Sequence, residues 1–135
     1  MPTTDITTTL RAAPFLLGKK GAALPFERMK RLALGNAYQL SLVICGDDLA
    51  QRLNKKHRRK TYAANVLSFP LSSTEGEIFL NARASAREAR KYGVSERARF
   101  ALLFVHGLLH LKGYHHGRTM EGEERKILRA FDLEH

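Results

Sequence analysis

The run FALLFV, residues 100–105, is apolar on every face of a helix and continues directly into HGLLH. A helix that is apolar all round is stable in water only when other elements enclose it. Ser95 is a suitable N-cap for this helix and Gly113 a suitable end, which predicts a helix over 96–112. The rest of the chain is therefore expected to pack around a helix that ends in histidines.

Those histidines have the spacing of metal ligands. His106 and His110 lie four residues apart, so on a helix both imidazoles face the same direction. Gly113 then ends the helix, and because glycine adopts left-handed backbone angles, the chain can return His116 to the same point. Three imidazole nitrogens suit zinc, and nickel or copper by ligand type. Three protein ligands leave a fourth position open, as in catalytic zinc sites.

The spacing is also similar to the zinc-peptidase pattern, in which a helix carries His-Glu-x-x-His and a third histidine follows a glycine. In those enzymes the glutamate is the general base. Gly107 stands at that position here, so a peptidase of this type lacks its base and the protease interpretation is disfavoured. A set of histidines satisfied by ordinary hydrogen bonds is the remaining alternative to a metal site.

The charge balance narrows the choice of partner. In 135 residues, 23 Lys and Arg against 13 Asp and Glu leave a formal net charge of +10. Such an excess fits a nucleic-acid partner, with a basic surface kept for solubility as the alternative. No apolar run reaches the roughly 20 residues that span a bilayer. The N-terminus does not read as a secretory signal, so a cytoplasmic protein without membrane contact is expected.

Hydrophobic periodicity and turn residues divide the chain into short elements. An aspartate at 47–48 is expected to cap the second helix, Asn81 to cap the third, and Pro70 to end the third strand. The connection over residues 16–25 lacks the spacing of a phosphate-binding loop and is predicted to be a plain loop. Together these elements predict an α+β fold, in a single domain over residues 1–135 with a small four-stranded sheet and four to five helices. The predicted strands are 5–10, 38–45, 65–69 and 77–81, and the predicted helices are 25–34, 48–58, 82–92, 96–112 and 119–131.

Several spaced blocks together resemble one known family. HGLLHLKGYHH is similar to the H-G-x-L-H-L-x-G-Y-D-H pattern of the YbeY family, bacterial endoribonucleases that mature ribosomal RNA. NVLSFP resembles the block T-(D/N)-V-L-S-F-P of that family, LNKKHR the segment that ends in its functional arginine, and GEIFLN its G-D-I-x-I strand. Two positions depart from the pattern, because His115 replaces the usual aspartate and Ala64 the usual threonine.

The resemblance implies an α+β fold with a zincin-like metal helix, and one zinc ion per chain held by His106, His110 and His116. It also implies that Arg58 is the functional arginine, although the basic run at 55–60 would by itself indicate only a solvated helix end. The implied activity is cleavage of single-stranded RNA in ribosomal RNA maturation at the 16S 3′ end, during late ribosome assembly. The implied partners are RNA and the ribosomal subunit or its proteins.

Alternatives remain open for the chemistry and for the role. RNA cleavage can proceed by attack of a metal-activated water, or of a ribose 2′-hydroxyl on a phosphate that the metal polarises. The replacement at His115 keeps open a non-catalytic assembly factor that binds RNA or a ribosomal protein and holds a structural zinc. His57, next to Arg58, is either a proton carrier or, more simply, a surface histidine.

Overall fold

The computed structural model describes residues 4–9 and 24–134, which form a four-stranded sheet and five helices. They confirm the predicted α+β class. That one domain spans residues 1–135 stays a prediction, and the predicted loop over 16–25 lies largely outside the described residues. The strands are β1 (Thr4–Thr8), β2 (Gln39–Cys45), β3 (Val66–Ser72) and β4 (Glu75–Asn81), and the helices are α1 (Phe26–Leu34), α2 (Asp47–Arg58), α3 (Ala82–Tyr92), α4 (Glu96–Lys112) and α5 (Arg118–Ala130).

The sheet has the order β1-β2-β4-β3, with β1, β2 and β4 parallel and β3 antiparallel to β4. Because successive residues of a strand face opposite sides, Ile78 lies on one face and Phe79 on the other. Ile78 is fully buried and its side chain reaches α4 at Gly107. On the opposite face, Phe79 packs against Phe69, whose ring contacts His57 at the end of α2. The edge strand β3 therefore packs against both α2 and α4.

α4 is the enclosed helix that its apolar sequence predicts. Phe100 and Phe104 are fully buried and meet the ring of Phe26 on α1 edge-on, at centroid distances of 6.0 and 5.0 Å. Ser95 caps its first turn by accepting a backbone N–H, and Gly113 ends it with a φ of 106°, both as predicted. Within residues 4–9 and 24–134, none of the helices has the length and apolar content to cross a membrane.

The predicted end of the third strand at Pro70 is wrong, because β3 continues to Ser72. β3 lies at the edge of the sheet, and a proline is tolerated on an edge strand because its missing N–H need not donate to a neighbour. The pairing with β4 shifts register between Pro70 and Ser72. This shift in pairing accommodates Pro70, so the strand continues beyond the proline.

The predicted capping of the second helix by an aspartate is also wrong. α2 begins after Gly46 with no side-chain cap, and the carboxylate of Asp47 instead accepts hydrogen bonds from Arg87 at 2.8 Å and Asn81 at 2.9 Å. Both bonds lower the pKa of Asp47, which falls to about 2, and the bond from Arg87 has the larger effect. The Asn81 side chain also caps α3, as predicted. Asp47 therefore ties the start of α2 to the start of α3.

We expect Phe104→Ala to lower the free energy of unfolding by about 3–5 kcal/mol, because the truncation leaves a cavity where α1 packs on α4. The matched control is Leu32→Ala on α1, where the side chain is 54% exposed and the change should stay within about 0.5 kcal/mol. Urea unfolding followed by circular dichroism measures both values. Equal losses in the two variants would contradict the central position of α4.

Candidate metal centre

The three histidines predicted as ligands lie together at the C-terminal end of α4. His106 and His110 belong to its last two turns, and the chain after Gly113 brings His116 back to them. One candidate ligand atom from each ring lies within 4.8 Å of the other two. The centroids of the three rings are 4.6, 4.7 and 4.9 Å apart. Such a group can hold a metal ion.

Hydrogen bonds on the outer nitrogens determine which nitrogen of each ring faces the centre. Nδ1 of His106 lies 3.0 Å from Oε1 of Glu124, and Nδ1 of His110 lies 3.1 Å from the carbonyl oxygen of Tyr114. A carboxylate and a carbonyl oxygen only accept hydrogen bonds, so in a neutral ring the proton is on Nδ1. The Nε2 atom of both rings is then left with a lone pair, as a metal ligand requires.

The two Nε2 atoms of His106 and His110 face each other at 3.1 Å. With both protons on Nδ1, no hydrogen bond joins the Nε2 atoms, and their lone pairs repel unless a cation lies between them. Two nitrogens bound to one tetrahedral zinc ion are about 3.4 Å apart, given Zn–N distances of about 2.0–2.1 Å. The donor set and its spacing therefore fit the metal ion that the sequence predicts.

The surroundings of His110 favour its neutral form. Burial lowers the pKa of His110 below its ordinary value, and the adjacent His106 and His116 lower it further. A histidine must be neutral at the ligating nitrogen to bind a metal ion. The lowered pKa therefore keeps His110 available as a ligand at neutral pH.

Glu124 of α5 is a residue of the site that sequence reasoning missed. Its side chain is only 12% exposed and lies against His106, which is 18 positions earlier in the sequence. A carboxylate in this position orients a ligating histidine and raises its basicity. The sequence gives no local signal for the contact, because it joins two different helices. His115, at the position of the family aspartate, is exposed, and among the described residues Glu124 supplies the carboxylate that contacts His106.

Gly107 occupies the position of the glutamate base of zinc peptidases, and the packing explains why it is glycine. A Cβ atom at this position would lie 3.1 Å from both Ser68 Oγ and Ile78 Cδ1. The Ser68 hydroxyl also donates a hydrogen bond to the Gly107 carbonyl oxygen at 2.9 Å. α4 presses against the sheet here, which leaves no room for a glutamate side chain. The geometry therefore supports the case against a peptidase.

A cleft of about 670 Å³ opens beside the three histidines. Its other walls are the end of α2, the segment 59–65 and β3, and Arg58 lines it together with the histidines. The residues of the basic run 55–60 are all exposed, and Arg58 is the Lys or Arg of this run that lines the cleft. His57 also lines the cleft, and both of its proposed roles stay predictions. Cys45 does not line the cleft, because it is fully buried at the end of β2. Burial raises the pKa of its thiol to about 11.

Fold and site together define a class: small α+β proteins in which three clustered histidines at the end of a buried helix can hold a metal ion beside a cleft that Arg58 lines. The sequence matches the family model described as Endoribonuclease YbeY over residues 23–132. The chain belongs to the YbeY family of endoribonucleases, which confirms the family predicted from its motifs.

Curated relatives and a solved structure agree with this assignment. The Endoribonuclease YbeY of Helicobacter pylori strain J99 is 37% identical over 74% of this chain and 76% of its own length. The Endoribonuclease YbeY of Methylobacillus flagellatus is 34% identical over 80% of this chain and 74% of its own length. That of Geobacter metallireducens is 37% identical over 66% of this chain and 65% of its own length. A solution structure of a Thermotoga maritima protein has a similar fold, with a TM-score of 0.65 at 20% identity over 96% of this chain and 91% of that one.

We expect Glu124→Gln to weaken zinc binding about 10- to 100-fold, because a neutral amide orients and polarises His106 less than a carboxylate does. Glu123→Gln is the matched control, since that carboxylate pairs with Lys126 at the surface, and it should leave the affinity unchanged. Competition with a chromophoric chelator measures both affinities. If the two variants bind zinc equally well, Glu124 does not act on the metal centre.

Proposed function

We propose that the chain is a zinc-dependent endoribonuclease that cleaves single-stranded RNA in the cleft beside the three histidines. In this proposal His106, His110 and His116 hold one zinc ion per chain, and Arg58 is the catalytic arginine. One observation carries the proposal: in a member of an endoribonuclease family, a guanidinium and three clustered imidazoles line the same cleft.

The open side of the histidine cluster supports a catalytic rather than a structural metal. Three protein ligands leave a tetrahedral ion one further position, and the cleft leads to the cluster. When bound, zinc supplies a Lewis acid to a phosphoryl group and acidifies a coordinated water. A purely structural zinc ion takes four protein ligands. The open position therefore favours the nuclease over the non-catalytic assembly factor, for which only the replacement at His115 speaks.

The side chain of Arg58 is suited to hold the phosphate at the bond that is cut. A guanidinium donates two parallel N–H bonds to two phosphoryl oxygens, which fixes the phosphate in one orientation. The same donors stabilise the negative charge that develops on those oxygens in the transition state. Arg58 lies in the last turn of α2, so the helix sets the position from which the guanidinium reaches into the cleft.

Ribosomal RNA is the substrate in this proposal, in maturation of the 16S 3′ end during late ribosome assembly in the cytoplasm. The ribosomal subunit or its proteins are the proposed partners. Membership of the YbeY family supports this role. The net charge of +10 supports a polyanionic partner, because Lys and Arg side chains gain affinity by neutralising phosphates.

We expect the purified protein to contain one zinc ion per chain by mass spectrometry, and chelation to abolish its cleavage of a single-stranded RNA oligonucleotide. Added zinc should restore cleavage, and His110→Ala should lower both the zinc content and the melting temperature. Full zinc content without any cleavage would favour the assembly factor instead. A 2′,3′-cyclic phosphate on the product would assign the attack to the ribose 2′-hydroxyl.

We expect Arg58→Ala to reduce cleavage about 100- to 1,000-fold, the effect of removing a donor to developing charge, while zinc content stays at one ion per chain. Arg52→Ala is the matched control, because Arg52 lies earlier on α2 and lines a different pocket. Initial cleavage rates of one RNA oligonucleotide compare the two variants. Cleavage by Arg58→Ala at the rate of the unchanged protein would remove Arg58 from the mechanism.

A further inference from the structure

The cleft has an exposed aromatic ring at its rim. Tyr62 lies in the segment 59–65 between α2 and β3, and it is 56% exposed. It lines the cleft together with Arg58 and the three histidines. It also borders a smaller groove beside Arg87 and Glu88 of α3, so the ring lies at the edge of the cleft rather than on its floor.

The backbone beneath this ring is held in place by α2. The side-chain amide of Asn54 donates a hydrogen bond to the backbone carbonyl oxygen of Tyr62 at 3.0 Å. The side-chain amide of Gln51 donates one to the backbone carbonyl oxygen of Thr61 at 2.8 Å. Asn54 is fully buried. The segment is therefore anchored directly under the exposed ring. A ring on a fixed backbone loses little conformational entropy when a ligand packs on it, which favours binding.

The other aromatic residues at the cleft are packed against each other. The ring of His57 lies 4.9 Å from that of Phe69, and Phe69 lies 5.8 Å from Phe79. In the part of the chain that the structure describes, no ring or cation packs on Tyr62. Its position also follows the basic run 55–60. Sites for single-stranded nucleic acid combine a positively charged groove with aromatic rings on which bases stack.

We propose that Tyr62 is a stacking platform for an unpaired nucleobase of the RNA that occupies the cleft. The inference rests on the proposed function and adds a base-binding subsite to it. A base within a duplex has both faces covered by its neighbours, whereas an unpaired base has a face available to an aromatic ring. Tyr62 therefore makes binding selective for single strands without reading the sequence, because every base has a π-face.

The chain contains no tryptophan, which allows a direct spectroscopic test. Tyr62→Trp keeps an aromatic face and introduces the only indole, whose fluorescence falls when a base stacks on it. The matched control is Tyr92→Trp, because Tyr92 is 55% exposed but lies at the end of α3, with Arg99 over its ring at 4.8 Å. Saturable quenching by an unpaired RNA oligonucleotide is expected for Tyr62→Trp only, and a blunt RNA duplex should quench neither variant.

Affinity provides the second readout. We expect Tyr62→Ala to raise the Kd for the single-stranded oligonucleotide about 5- to 100-fold, the effect of losing one stacked base, with zinc content unchanged. Tyr62→Phe should bind within about threefold of the unchanged protein because it retains the π-face, and Tyr92→Ala should bind normally. Fluorescence anisotropy with a labelled oligonucleotide measures all four proteins.

The outcomes separate this inference from the function on which it rests. Normal binding by Tyr62→Ala, in a protein that cleaves RNA, would overturn the stacking platform and leave the nuclease intact. An unchanged protein that neither binds nor cleaves single-stranded RNA would overturn both. Quenching of Tyr62→Trp by a ribosomal protein and not by RNA would overturn the platform in favour of a protein contact.

Discussion

The close approach of α4 to β3 at Gly107 is the contact on which the geometry of the site depends. A Cβ atom at this position would lie only 3.1 Å from the side chains of Ser68 and Ile78, so even an alanine would require its neighbours to shift by a few tenths of an ångström. The hydrogen bond from Ser68 to the Gly107 carbonyl oxygen then fixes the helix along its axis. His106 precedes this contact and His110 follows it by less than one turn. The depth of α4 against β3 therefore sets the distance between the histidines and the cleft wall.

The charge distribution around the histidines suits a metal centre that must also accept phosphate. Glu124 contacts His106 on the nitrogen that faces away from the centre, so it would strengthen this candidate ligand without occupying a position on a bound ion. No acidic side chain is among the residues that line the cleft in the described part of the chain. A divalent ion on the histidines, together with Arg58 in the cleft wall, would leave the cleft positive, which favours a bound phosphodiester.

Local patterns predict the elements and all three clustered histidines, while contacts between distant segments escape them. His106 and His110 follow from the helical period, and His116 from a glycine that ends the helix, because both are properties of neighbouring residues. Glu124 has no such signal, since its contact with His106 depends on how α5 packs against α4. Asp47 fails as a predicted cap for the same reason: Arg87, 40 residues away, offers its carboxylate a charged partner.

One face of α2 connects the two subsites that we propose, for a phosphate at Arg58 and for a base at Tyr62. Gln51, Asn54 and Arg58 are spaced by three and then four residues, so they lie along the same side of the helix. The first two hold the backbone of the segment that carries Tyr62, and the third lines the cleft. α2 thus fixes the backbone that carries Tyr62 relative to the backbone of Arg58. A strand that places a phosphate at Arg58 and a base on Tyr62 must match this fixed separation, and an unpaired strand does so at lower cost because its backbone can adjust. In the proposed mechanism, selectivity for single strands then comes from α2 and the segment that follows it, whereas the metal ion contributes to cleavage and not to this selectivity.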